Sequence, residues 1–186
     1  MRSFQILGIF AALTAPILGS PTPSGPCTPS LLPISDIPQN FYVRVVIPGN
    51  EDLTNRMMNF QPSGGSDQHP YLDPAGHFTG TNTLVSNVIT NTAISTGATI
   101  RLCLGGNPDS KDGTTKLFFT KRNTDPRAIF DVWGGCGENN YEFKLRDGAV
   151  VCVRKASGNK WEFRYTPAGN TKDADCIKAK IVPVFA

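Results

Sequence analysis

The stretch Tyr141-Glu142-Phe143-Lys144-Leu145-Arg146-Asp147-Gly148-Ala149-Val150-Val151-Cys152-Val153 decides the fold class. Tyr141, Phe143 and Leu145 alternate with Glu142, Lys144 and Arg146, so an extended chain here presents one apolar face to a core and one charged face to water. Asp147-Gly148 then supplies residues that tolerate a tight reversal, and an apolar run follows it. After the turn residues Ser157-Gly158-Asn159 the same period returns. Trp161, Phe163 and Tyr165 are expected to face the core, with Glu162 and Arg164 in water.

Working outward, Ile177 to Phe185 makes a last strand, whose Pro183 is expected at an edge or a bulge. Upstream, Phe41 to Ile47, Thr99 to Leu104, Lys116 to Thr120 and Ala128 to Trp133 are β-branched and aromatic runs bounded by Gly, Pro, Asn and Asp. Thr79 to Ser86 and Val88 to Ala93 read as two further strands. No long window carries a helical stripe, and about nine to twelve short strands are expected. The chain therefore reads as all-β, a β-trefoil-like fold or closed barrel with a β-sandwich as the alternative. Pairing of the first and last strands would close the barrel. No threefold internal repeat is visible in the sequence.

The first residues set the compartment. Arg2 precedes an apolar run from Phe4 to Leu13, and small residues Ala15 and Gly19 follow, the arrangement of a secretory signal peptide over residues 1–19. Residues 20–38 carry a proline every few positions and read as an extended arm, leaving residues 39–186 as a single β-rich domain. The product is expected to be secreted and extracellular, with no membrane span. Its formal charge of +3 falls to +2 without Arg2, too little to imply nucleic acid. Basic residues thicken toward the C-terminus, where Arg154 and Arg164 are expected on a solvated face among acids.

Five cysteines, Cys27, Cys103, Cys136, Cys152 and Cys176, leave at least one thiol unpaired, and the pair favoured from spacing is Cys136 with Cys152, flanking a strand and its turn. His69 and His77, with Asp67 and Asp73, are the ligand-capable set for a metal. They fall in a segment dominated by Gly, Pro, Ser and Asp, which reads more simply as turns with local hydrogen bonds, so no metal and no cofactor is expected. No nucleophile elbow occurs, and the acids a glycoside hydrolase would need, among Glu51, Asp131, Glu138, Glu142 and Glu162, cannot be paired from sequence. No catalytic residue is assigned. Asn107 to Gly113 has a calcium-loop composition but reads as a hairpin loop, because Lys111 sits where a ligand belongs. Tyr42, Tyr71, Trp133 and Trp161 are the aromatics available for sugar stacking.

The runs Asn55 to Phe60, Gly64 to His69, Leu72 to Gly76 and Asp125 to Phe130 resemble a family of small secreted proteins of filamentous fungi that carry a domain of unknown function. The resemblance implies a fungal extracellular setting and transfers no catalytic residue. The function expected is that of a non-enzymatic binding or effector-like protein acting at the fungal cell wall or on a host glycan or protein. A small secreted hydrolase and a trefoil-type protease inhibitor presenting Ser63 to Pro70 are the alternatives.

Overall fold

The computed structural model describes residues 32–93, 95–135 and 141–186. The signal segment, nearly all of the arm, Cys27 and Cys136 lie outside the described residues. The first third of the fold comprises β1 (Ile37–Val46), β2 (Met58–Pro62), β3 (Gln68–Leu72) and β4 (Asn82–Val85). The second comprises β5 (Val88–Thr92), β6 (Thr99–Gly105), β7 (Thr115–Thr120) and β8 (Phe130–Gly134). The last comprises β9 (Tyr141–Leu145), β10 (Val150–Lys155), β11 (Trp161–Thr166), β12 (Cys176–Lys178) and β13 (Lys180–Phe185). Among the described residues there is no α-helix, hence none long and apolar enough to cross a membrane.

The strands pair antiparallel in one curled sheet whose ends meet. β1 pairs with β4, β4 with β5, β8 with β9, β9 with β13, and β13 with β1 along Phe41↔Phe185 to Val46↔Lys180. The remaining contact of the ring is the Val88↔Ile129 bridge, where the Phe130 N–H donates to the Asn87 carbonyl at 2.8 Å and joins β8 to β5. Three hairpins, β2–β3, β6–β7 and β10–β11, cap this six-stranded ring. Their second strands meet one another pairwise, at Gln68↔Phe119, Arg164↔Lys116 and Glu162↔Tyr71. A ring of six with three mutually paired hairpins is the β-trefoil arrangement, and the sandwich alternative is set aside because all the described strands belong to one sheet. The threefold relation that the sequence hides is explicit in the pairing, since Phe60↔Phe78, Cys103↔Arg127 and Val153↔Ile177 tie each hairpin to the segment leading into the next ring strand.

The interior is filled by Phe41, Phe60, Phe119, Phe130 and Phe163, all fully buried, with Val43, Leu84, Ile89, Ile100 and Leu102 between them. Burying one such side chain contributes about 1.5–3 kcal/mol, so the aromatic set supplies much of the driving force. Edge-to-face contacts such as Phe60–Phe119 at 5.1 Å and Phe130–Phe143 at 5.9 Å order it.

Several sequence expectations change. Asp147 and Gly148 do adopt left-handed φ of 61° and 71°, but the turn carries the chain from the ring into the cap, because β9 pairs with β8 and β13 while β10 pairs with β11 and β12. The segment around His69 is a strand, β3, held by five consecutive pairs with β2 after a turn through Gly64 and Gly65. β1 begins at Ile37, and Ile34 already pairs with Val132, so the last residues of the arm belong to the domain. Pro183 lies inside the sheet between β1 and β13's other neighbour, with the β9 pairing confined to Ile181↔Phe143, so the ladder is already open where its N–H is missing. Cys152 is bonded to Cys176, not to Cys136, because β12 lies beside β10 and brings Cys176 next to that strand. Closing a loop of 24 residues stabilises by about 3–4 kcal/mol through the unfolded chain.

On β11 the expectation is partly inverted. Phe163 is fully buried, yet Glu162 and Arg164 are buried too, while Trp161 and Tyr165 are half-exposed. Phe163→Ala should therefore cost about 3–5 kcal/mol. Trp161→Ala should cost clearly less, and urea melts of the two variants beside the wild type measure the order.

Candidate functional site

The inversion on β11 exposes what the cap is built around. Glu162 stands at the middle of the three-hairpin face, opposite Tyr71 of β3, and its carboxylate is shared by three cations. Oε1 accepts from Arg154 of β10 at 3.0 Å and from Arg164 at 2.9 Å, and Oε2 lies 3.4 Å from Lys116 of β7. The loop after β6 supplies two further acids. Arg154 Nη1 donates to Asp109 Oδ2 at 2.9 Å and to Asp112 Oδ2 at 2.6 Å, while Arg164 Nη2 donates to the Thr114 carbonyl at 2.8 Å.

The loop folds this way for local reasons. Asp112 Oδ1 accepts from both the N–H and the hydroxyl of Thr114, at 2.9 and 2.7 Å, and Asp109 Oδ1 accepts from the Lys111 N–H at 3.0 Å, two side-chain turns of the kind aspartate favours. Gly113, at φ +67°, lets the chain reverse where a Cβ would stand 2.9 Å from Asn170 Oδ1. The loop is thus a charged plug clipped to β10 and β11. Three acids, Asp109, Asp112 and Glu162, face three bases, Arg154, Arg164 and Lys116, which is the condition for burying charge at this depth.

The electrostatics follow from the pairing. Burial would raise the Asp112 carboxyl, but the Thr114 donors and the Arg154 guanidinium outweigh it and hold it below the ordinary carboxylate range. The Lys111 N–H and Arg154 lower Asp109 in the same sense. Burial alone would depress Arg154, yet Asp109, Asp112 and Glu162 raise it. Burial, with Glu162 beside it, raises the Tyr71 phenol.

Above this floor opens a cleft of about 700 Å³. Tyr71 and Trp161 form its aromatic side, and Lys111, Lys116, Lys155 and Asp175 stand around it. Trp161 also borders a second cleft of about 310 Å³ with Arg56, Pro74 and Lys160, so its ring is shared by two concavities. Lys160 Nζ sits 5.5 Å from the centre of the Tyr71 ring and donates to Gln61 Oε1 at 3.1 Å, fixing that wall.

The histidine set is not brought together. Asp67 and His69 share a cleft of about 360 Å³ with Arg122 and Phe118, where Arg122 pairs with Asp67 at 3.0 Å and with Asp125 at 2.8 Å. Burial, aided by Lys116, lowers the His69 pKa against the pull of Glu162 and Asp67. Asp73 lines the Pro74 cleft on the other side of Trp161, and His77 is exposed with its N–H bonded to the Phe60 carbonyl. Among the described residues no group of three or more His, Cys, Asp and Glu is arranged to hold a metal ion. Asp131 is paired with Arg146, and Glu142 with Lys144 and Lys180, while Glu51 is exposed and Glu138 lies outside the described residues. Cys103 is a buried free thiol that accepts from Arg127 Nη1 at 2.8 Å, and burial raises its pKa against that arginine. Ser63 to Pro70 is a hairpin turn running into β3, with only its tip exposed, so no long extended segment is presented there.

The family model of a domain of unknown function, DUF7909, matches residues 27–186. The chain belongs to this family. No curated protein and no solved structure matches it. The DUF7909 match spans the whole ring and cap, so the cleft lies inside the family's domain. Arg154, Arg164, Asp109 and Asp112 were not legible as site residues, because a solvated face and a hairpin loop have the same composition as a buried ion network. The local trace is the Asp109-x-Lys111 and Asp112-x-Thr114 spacing of two side-chain turns.

Two measurements check the floor. Arg164→Ala leaves a buried carboxylate with a partner lost and should cost about 3–5 kcal/mol in a urea melt. Asp109 and Asp112 have folded pKa values below their unfolded value of about 3.9, so their stabilisation is complete above that value and is lost as the pH falls through the folded one. Calorimetry between neutral pH and about pH 3 should show the melting temperature dropping on the acid side, less steeply in Asp112→Asn than in the wild type.

Proposed function

We propose that this protein works outside the cell as a non-enzymatic binding protein, in the fungal setting that the resemblance implies, with an extracellular glycan of the cell wall or of a host as its ligand. The signal-type leader over residues 1–19 and the Cys152–Cys176 disulfide support an oxidising extracellular compartment. The observation that carries the reading is Trp161, half-exposed and shared by two clefts beside Tyr71, above a floor whose charges are satisfied within the chain. An aromatic ring at the edge of a polar cleft takes the C–H face of a sugar ring, while the polar rim takes its hydroxyls.

Hydrolysis fits less well. A glycosidase needs one carboxylic acid that stays protonated near neutral pH, which requires burial without compensating cations. Asp109 and Asp112 are held ionised, and Glu162 is bound to three cations. Lys111 and Lys155 are exposed at the rim and have no carboxylate partner among the described residues, against the single acid Asp175, so the rim favours a glycan that carries carboxylates.

Isothermal titration of the full chain with oligogalacturonate tests this. Binding is expected, and Trp161→Ala and the pair Lys111→Gln/Lys155→Gln should each weaken it about tenfold or more, a loss of about 1.4 kcal/mol. Unchanged affinity in Trp161→Ala would remove the site, and new reducing ends appearing during incubation would replace binding by hydrolysis.

A further inference from the structure

Of the five cysteines in the chain, the fold accounts for three. Cys152 and Cys176 are bonded across β10 and β12. Cys103 is fully buried on β6, where its thiol accepts from Arg127 Nη1 and donates to the Arg101 carbonyl at 3.2 Å, so it is closed to exchange with another sulfur. Cys27 and Cys136 are the two left over, and both lie outside the described residues. In an oxidising compartment two such thiols pair if the fold lets them meet.

The described residues bring the chain on either side of them to one point. The Ile34 N–H donates to the Val132 carbonyl at 2.7 Å, an antiparallel bridge that lays the entry of the domain against β8. Ile34 packs on the core, so the point is anchored. β8 ends the pairing order with β9 on one side, and past Val132 no described strand takes its other side. Trp133, the next residue, is among the large apolar side chains left exposed. An antiparallel bridge sets direction as well as position, so the chain upstream of Ile34 and the chain downstream of Val132 leave the bridge the same way. Cys27 is seven residues upstream and Cys136 four residues downstream. At full extension these are about 25 Å and about 14 Å of chain hung from one hydrogen bond. Continued pairing would set Ser30 opposite Cys136, and Pro26 and Pro29 on either side of Cys27 are turn formers that fold back the remaining three residues.

We propose that Cys27 and Cys136 form a second disulfide, which pins the N-terminal arm along the open edge of β8. The bond forms by exchange with an oxidised dithiol of the secretory compartment. That reagent's S–S bond takes up two electrons and two protons and becomes two thiols, while the Cys27 and Cys136 sulfurs give up theirs and join. An open strand edge is a template for pairing with another chain, and the pinned arm occupies it. The bond closes a loop of roughly a hundred residues in the unfolded chain, so it restricts that chain more than the 24-residue Cys152–Cys176 loop does. The inference rests on the extracellular reading and not on the Trp161 cleft.

Peptide mapping of the protein secreted by a eukaryotic host tests the proposal. The chain is denatured without reductant, alkylated with iodoacetamide, digested with trypsin and read by mass spectrometry. Cys103 should be the one alkylated cysteine, and the peptide ending at Arg44 should be recovered joined to Ala128–Lys144 and part from it on reduction. Cys27→Ser with Cys136→Ser should lower the melting temperature while Cys152 and Cys176 stay bonded. Alkylation of both Cys27 and Cys136 with the Cys152–Cys176 bond intact overturns the proposal and leaves the extracellular reading standing. Alkylation of all five cysteines overturns both. Recovery of Cys27 or Cys136 joined to Cys103 or to a second chain also overturns the proposal.

Discussion

Glu162 is the point at which the cap is joined. Its carboxylate reaches Arg154 on the neighbouring strand of its own hairpin, Arg164 two residues along and Lys116 on the second hairpin, while its backbone faces Tyr71 on the first. All three hairpins of the trefoil therefore converge on one acidic side chain. Through Arg154 and Arg164 the same group holds the loop that carries Asp109, Asp112 and Thr114. Buried ion pairs contribute little net stability, because desolvation offsets their attraction, but removing one member leaves a charge without compensation. The network consequently acts on geometry more than on total stability. It sets which hairpin strand lies beside which, and so where Tyr71, Trp161 and Lys116 stand.

The ring below is organised by different forces. Its interior is aromatic and aliphatic, and its closure depends on β1 and β13, the two ends of the domain, pairing over six consecutive positions. The division of labour gives the two layers surfaces of opposite character. Cap strands turn charged side chains toward one another and leave a charged, aromatic cleft. Ring strands β4 and β5 turn Asn82, Leu84, Ile89 and Asn91 to one face and Thr83, Val85, Thr90 and Thr92 to the other, because β-branched residues suit a pleated surface that must also meet water.

Much of the architecture was legible locally. Alternation in Tyr141 to Leu145, the Gly, Asn and Asp turns, and the β-branched runs fixed an all-β chain, since side-chain period and turn conformation are set by residues a few positions apart. The pairing of first and last strands was also foreseeable, as a barrel needs closure. What was not legible is the threefold relation, the Cys152–Cys176 bridge and the status of β3 as a strand. Each depends on partners distant in sequence: β3 has a proline inside it and is extended because β2, β7 and β11 surround it.

Glu162 and Arg164 show the limit most directly. By period they belong to a wet face, and by composition they are surface residues, yet they are 6% and 2% exposed. The sequence by itself determined which residues are extended, where the chain turns and that the interior is aromatic, because those properties follow from backbone preference and hydrophobic spacing. Only the tertiary structure decided that the second face of β11 is covered, because the loop from Asp109 to Thr114 brings two carboxylates onto Arg154 and the Thr114 carbonyl onto Arg164. Burial of a charge depends on finding its partner in space, and no local pattern encodes that.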